Sequence, residues 1–305
     1  MDVKSTELSL TINFQQDWIE ILCQKLVERG YSIDSRQYDS DALCIQYFNV
    51  LKRQIDTKPR KILVSKEFSC PKQHQTGIKL IRRKVESGQD LTPNLSKNIK
   101  LLDYHDALLN DWGIYHFHLG DLLEKTGFIK RTGSVLFARV TDEYFYMLDV
   151  LGHDSWSQQR LVEIIHTNWQ ESVSLFKIPE GYRLSNVSPS DQDIAQFREY
   201  SISTFVQVSD GIIYSPIGGG YSRSGFSMDV RVTCNCYSAT VRNLEKHVRS
   251  NLSNFRNIAR QHDLELPPQP HFQLQLIDGN AYAVELNTQI AYKLCEMPLR
   301  IMGNL

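Results

Sequence analysis

Two histidines stand two residues apart in the run Asp111-Trp112-Gly113-Ile114-Tyr115-His116-Phe117-His118-Leu119-Gly120, and a third, His153, follows in Gly152-His153-Asp154. If 114–119 is a strand, alternation sends His116 and His118 to one face, with Cβ atoms roughly 7 Å apart. Imidazole is the side chain whose charge changes near neutral pH, so such rings can divide acid and base work between them. With a guanidinium from Arg131 or Arg139 they suit a phosphodiester. One ring takes the 2′-hydroxyl proton, another protonates the leaving oxygen, and arginine offsets the charge gathering on phosphorus. The same residues allow two other readings. His-x-His with a third His and Asp154 is an acceptable zinc ligand set. Alternatively, the rings are hydrogen-bonded parts of a core beside Trp112, Tyr115 and Trp156. The expectation carried forward is acid–base catalysis by His116, His118, Arg139 and His153, with no metal and no cofactor.

The elements that must position these residues follow from periodicity and punctuation. Helical spacing marks 15–29, closed by Gly30, and 41–54, capped by Asp39 or Ser40. Lys61–Val64 reads as a short buried strand and Gln75–Ser87 as a helix ending at Gly88. A short helix over 104–112 is closed by Gly113. The runs 134–140 and 144–151, rich in Val, Phe, Tyr and Leu, flank Thr141-Asp142-Glu143 and predict a hairpin. The end of its second strand carries His153 toward the His116–His118 strand. An amphipathic helix is expected over 157–167 and another over 191–200. Strand-like runs lie at 202–208 and 211–214, a strand at 228–237, a long helix at 240–261, and a last hairpin at 272–277 and 282–286. The fold class is therefore α+β: N-terminal helices leading into a central antiparallel sheet, then a second α+β domain with antiparallel hairpins. The domains are expected at 1–178 and 179–305, in keeping with a chain of 305 residues.

His116–Gly120, the strand Leu136-Phe137-Ala138-Arg139-Val140, and Tyr144–Gly152 closing on Gly152-His153-Asp154 follow one another in an order that resembles the sheet of the RelE/ParE-like toxin superfamily. The resemblance covers about residues 104–156. It implies a short helical hairpin before an antiparallel sheet and metal-free cleavage of RNA by basic and aromatic side chains. It would put Arg139 at the strand arginine, His153 at the closing histidine and His118 at the early polar position. The sequence departs from that family in its length, in its near-neutral charge and in Asp154, where a basic residue usually follows Gly-His.

The formal net charge is −1, yet residues 51–100 hold thirteen Lys/Arg against four Asp/Glu, and residues 141–200 hold ten acids against four bases. The basic segment suits a phosphate backbone or an acidic partner, the alternative being that the two segments complement each other within the fold. Of the basic cluster Lys79, Arg82, Arg83 and Lys84, the two arginines cannot both face inward on a helix that buries Ile78, Ile81 and Val85. With Arg131 the four residues of that cluster are the expected nucleic-acid contacts, the alternative being an ordinary solvated face. The partners implied are RNA or the ribosome, or an inhibitory or acidic protein. Gly218-Gly219-Gly220 lacks a following Gly-Lys-Ser/Thr, so a hairpin loop is favoured over a phosphate cradle. The six cysteines include no CxxC pair, and Cys234-x-Cys236 lacks a second ligand pair. A polar N-terminus and the absence of an apolar run of about 20 residues predict a cytoplasmic protein with free thiols.

Overall fold

A computed structural model describes residues 10–182, 184 and 188–302. In chain order its elements are β1 (Thr11–Ile12), α1 (Phe14–Glu28), α2 (Ser40–Arg53), β2 (Lys61–Val64), α3 (Gln75–Ser87), α4 (Ala107–Trp112), β3 (Ile114–His118), β4 (Ser134–Val140), β5 (Tyr144–Gly152), α5 (Arg160–Trp169), α6 (Asp191–Glu199), β6 (Val206–Gln207), β7 (Ile213–Tyr214), α7 (Met228–Ser250), α8 (Leu252–Gln261), β8 (His271–Ile277), β9 (Asn280–Glu285) and β10 (Ala291–Glu296). The α+β class is observed. The chain forms two compact units. One joins the residues up to Phe48 to Val232–Ile301, and the other is essentially Asn49–Arg231. The boundary expected at 178 thus falls inside the second unit, and the N-terminal helices α1 and most of α2 belong with the C-terminal sheet.

The 49–231 unit is built on a sheet of order β2-β5-β4-β3. The expected hairpin is present: β4 and β5 pair antiparallel from Ser134 opposite Gly152 to Val140 opposite Phe145, with a bulge beyond Phe137. The β3 strand pairs antiparallel with β4, setting His116 opposite Phe137 and His118 opposite Val135. At the far edge β2 runs parallel to β5, a pairing that period-two patterning does not announce. Both sheet faces are covered. On one, α3 lays Ile78, Ile81 and Val85 against Phe117, Leu136, Ala138, Phe145 and Met147. On the other, α5 lays Leu161, Val162, Ile164 and Ile165 against Ile114, Val135, Phe137, Tyr146 and Leu148. Two-sided burial explains why β4 and β5 read as near-continuous apolar runs.

The entry to β3 is fixed locally. Asp106 caps α4 by accepting from the Leu109 amide at 3.0 Å, and Gly113 ends it at φ +66°, a conformation costly for a side-chain-bearing residue. The chain therefore turns from helix to strand in one residue, and His116 falls on the α5-covered face.

In the other unit β1, β8, β9 and β10 form a four-stranded sheet, so the expected terminal hairpin has a partner strand on each side. One expectation is corrected here. Residues 228–237 are the opening turns of α7, not a strand. Val230, Cys234, Tyr237, Val241 and Val248 are buried at helical spacing, while Val232 is 47% exposed. The alternation of apolar residues there was a coincidence of two periods. The expected single helix over 240–261 is interrupted at Asn251, whose side-chain amide donates to the His247 carbonyl at the end of α7. Cys234 is buried and Cys236 exposed, so they do not share a face. Among the described residues no helix is long and apolar enough to cross a membrane.

Candidate acid–base site

Three imidazoles from two separate stretches of chain meet at one end of the sheet. The His116 and His118 ring centres lie 6.1 Å apart, His116 and His153 lie 6.2 Å apart, and His118 and His153 stack at 5.5 Å. The β4–β5 register explains the meeting: Gly152 lies opposite Ser134, and the His153 amide donates to the Gly133 carbonyl at 2.9 Å. Trp156, four residues past Gly152, stands edge-on to two of the rings, 4.3 Å from His116 and 4.7 Å from His153. Arg131 donates to Nε2 of His153 at 3.2 Å. That bond uses the nitrogen as an acceptor, which holds His153 in a neutral tautomer.

Burial and charge grade the three rings. His116 is 6% and His118 2% exposed, whereas His153 is half-buried and Arg131 is at the surface. All three are shifted toward the neutral form. Desolvation lowers His118 to about 4, helped by His116, Arg131 and His153. Desolvation also lowers His116, partly opposed by the Asp106 carboxylate, whose Oδ2 lies 3.5 Å from His116 Nδ1. His153 is lowered by burial and by Arg131. Neither nitrogen of His118, nor Nδ1 of His116, has a hydrogen-bond partner. An unmet buried polar atom costs about 1–3 kcal/mol, and native interiors hold few of them. Three such atoms fall in these two adjacent rings. A cavity of about 10 Å³ beside His116, lined by Arg53, Tyr104, Asp106 and Tyr115, is about the size of one water.

The other expected site residues lie elsewhere. Arg139 stands opposite Ile114 and Tyr146, four residues along β4 from Val135, the partner of His118. That is roughly 13 Å at strand rise, and Arg139 is roughly 7 Å from Phe137, the partner of His116. Its guanidinium lies over the Tyr146 ring at 5.8 Å, so Arg139 is not part of the cluster; Arg131 supplies the arginine. Lys79, Arg82 and Arg83 are exposed on α3, but Lys84 turns inward and donates to Asn94 at 3.0 Å. That helix covers the face of the sheet opposite the histidines, so the basic stripe and the cluster do not form one surface. The Gly218–Gly220 loop offers no phosphate cradle. The amides of Gly218 and Gly220 donate to the carbonyls of Asp111 and Asn110, and Gly219 donates to Pro216. His105 packs against Phe226, and His166 bridges Asp210 and Tyr214.

Sequence reasoning missed Asp106, whose capping oxygen is legible as Asp before a helix but whose second oxygen is not. It also missed Arg198 on α6, which reaches Asp111 at 2.9 Å beneath the site. Among the described residues no group of three or more His, Cys, Asp or Glu side chains is arranged to hold a metal ion. No family model, curated protein or solved structure matches the chain, so the cluster itself carries whatever can be said of function.

Proposed function

We propose that this chain is a metal-independent, toxin- or phage-defence-type ribonuclease of the cytoplasm that cleaves RNA by general acid–base catalysis at His116, His118 and His153. One observation carries the reading: three imidazoles converge beside Arg131, with both nitrogens of His118 and Nδ1 of His116 unengaged. An RNA phosphate enters from the Arg131 side and takes over the guanidinium now spent on His153. Its negative charge favours the protonated form of a neighbouring ring. His116, backed by the Asp106 carboxylate, is best able to hold that proton and give it to the leaving 5′-oxygen. His118 is the free base for the 2′-hydroxyl. Attack of that oxygen on phosphorus forms one P–O bond and breaks another, leaving a 2′,3′-cyclic phosphate and a free 5′-hydroxyl. Arg131 offsets the charge on the phosphorane oxygens. Lys79, Arg82 and Arg83 hold a distal stretch of the same RNA on the other side of the sheet.

The test is end-labelled RNA incubated with the purified chain, with and without ribosomes and with and without chelator. Cleavage that survives chelator, yields cyclic-phosphate ends and falls by at least ~10²-fold in His118→Ala is expected. Cleavage abolished by chelator would replace this reading with a metal-dependent hydrolase. Tight, salt-sensitive RNA binding without cleavage would leave a binding module. No cleavage and no binding, to RNA or ribosomes, would remove RNA altogether.

A further inference from the structure

Beneath the histidine cluster lies a buried ion pair that the acid–base scheme does not use. Arg198, 8% exposed, donates from Nε to Oδ2 of Asp111, 1% exposed, at 2.9 Å. Its guanidinium carbon lies 4.0 Å from the centre of the Trp112 ring, and a terminal nitrogen donates to the backbone carbonyl of Trp156. Asp111 and Trp112 belong to α4, the element that ends at Gly113 and releases β3 with its two histidines. Trp156 belongs to the loop that carries His153. One planar guanidinium thus ties the two stretches of chain that supply the rings.

We infer that Arg198 is a positioning residue: through Asp111 and the Trp156 carbonyl it holds the Trp156 indole as a wedge between His116 and His153 and so sets the spacing and dryness of the cluster. The inference rests on the reading of that cluster as a functional site. Three observations support it. The indole edge touches both rings at under 5 Å and also packs on Phe137 at 5.6 Å, leaving it little freedom once its backbone is anchored. Arg198 reaches acceptors on two stretches of chain at once through a planar fork whose donors are fixed relative to one another, a geometry that a lysine ammonium on its flexible stem does not reproduce. Finally, the pair is costly to bury: desolvation pushes the Asp111 carboxyl up even with Arg198 beside it. An apolar pair would fill the same volume without that cost, so stability alone does not account for it.

The test compares Arg198→Lys, Trp156→Phe and the double variant with wild type in the full-length chain. The readout is the NMR titration of each histidine ring, measured without substrate. His116 faces Asp106, His118, His153 and Arg131, with Arg53, Tyr104 and Tyr115 lining the cavity beside it. These groups are unchanged in every variant. In Arg198→Lys, His116 and His153 are expected to titrate closer to the ordinary value of 6.5 as the wedge loosens and water enters. Because Arg198 acts through the indole, Arg198→Lys should add little further shift in a Trp156→Phe background. A folded Arg198→Lys protein with wild-type His116 and His153 titrations would overturn the inference, as would shifts that add fully in the double variant. If Arg198→Lys fails to fold, Trp156→Phe alone decides: unmoved His116 and His153 titrations would overturn the wedge. The rings report on position whether or not RNA is cleaved. Titrations that respond in a protein without ribonuclease activity would support the wedge and sink only the proposed chemistry.

Discussion

At the scale of single residues, the site differs from a solvent-exposed histidine pair in how far burial disfavours charge. A general base must be unprotonated and a general acid protonated, so activity peaks between the two values. With His118 lowered to about 4 and His116 lowered below its ordinary 6.5, the expected pH–rate profile for RNA cleavage is a bell with its maximum on the acid side of neutrality. Replacing Asp106 with Asn removes the carboxylate that opposes the lowering of His116. The alkaline limb of kcat/KM should then move to lower pH while the acid limb stays. A profile flat from pH 5 to 8, or an Asp106→Asn profile unmoved on the alkaline side, would count against these roles. The residue types were legible in the sequence, and so was the pairing of His116 with His118, because strand alternation is a local rule. Which arginine serves them was not. Arg139 lies on the same strand face, and choosing Arg131 instead requires knowing the register, which here brings the residue before Ser134 against His153.

At the scale of elements, α3 shows what periodicity can and cannot say. Its buried stripe of Ile78, Ile81 and Val85 was evident from spacing, as were its ends and the exposure of Lys79, Arg82 and Arg83. That it covers the face turned away from the histidines was not, because nothing within a helix names the side of the sheet it packs on. The same limit hid the parallel β2–β5 pairing, a contact between distant stretches of chain. The α7 error was different in kind: over ten residues a period of 2 and a period of 3.6 can fit the same few apolar positions, and only the longer stretch to Val248 decides. Arg82 and Arg83 point into solvent, so replacing both with Ala should change stability by no more than about 0.5 kcal/mol each. If they touch the phosphates of single-stranded RNA, the slope of log affinity against log salt should fall by roughly 0.7 per contact. An unchanged slope would show that the stripe is an ordinary solvated face. Gly77→Ala tests the helix's seat instead. Its Cβ would come within 2.1 Å of the Leu119 carbonyl oxygen, next to His118. Forcing that contact should cost about 1–3 kcal/mol and reduce cleavage with it.

For the molecule as a whole, the two units should answer acid in opposite senses. In the 49–231 unit the folded state holds His116 and His118 neutral. Lowering the pH through 6.5 toward 4 protonates these rings in the unfolded chain before the folded one, so stability is lost as pH falls through that window. In the other unit Asp17, in the first turn of α1, accepts from the Leu274 amide of β8 at 2.7 Å. Burial, opposed by that bond and reinforced by Glu20 and Glu245, raises its carboxyl from 3.8 to about 6. A raised acid binds its proton more tightly when folded, so its contribution is present at low pH and lost as pH rises from about 4 to 6. Thermal unfolding followed by hydrogen exchange, which reads each unit separately, should therefore show the 49–231 unit weakening between pH 7 and 5 while the Asp17 unit strengthens. Asp17→Asn keeps the side chain's acceptor and removes its titration, so it should flatten the second response and leave the first untouched. His118→Asn should reduce the first response to the part that His116 carries and leave the second untouched. Parallel movement of both units with pH, or an Asp17→Asn protein that keeps its acid strengthening, would mean that other carboxylates govern the balance and that neither burial-shifted group controls its unit.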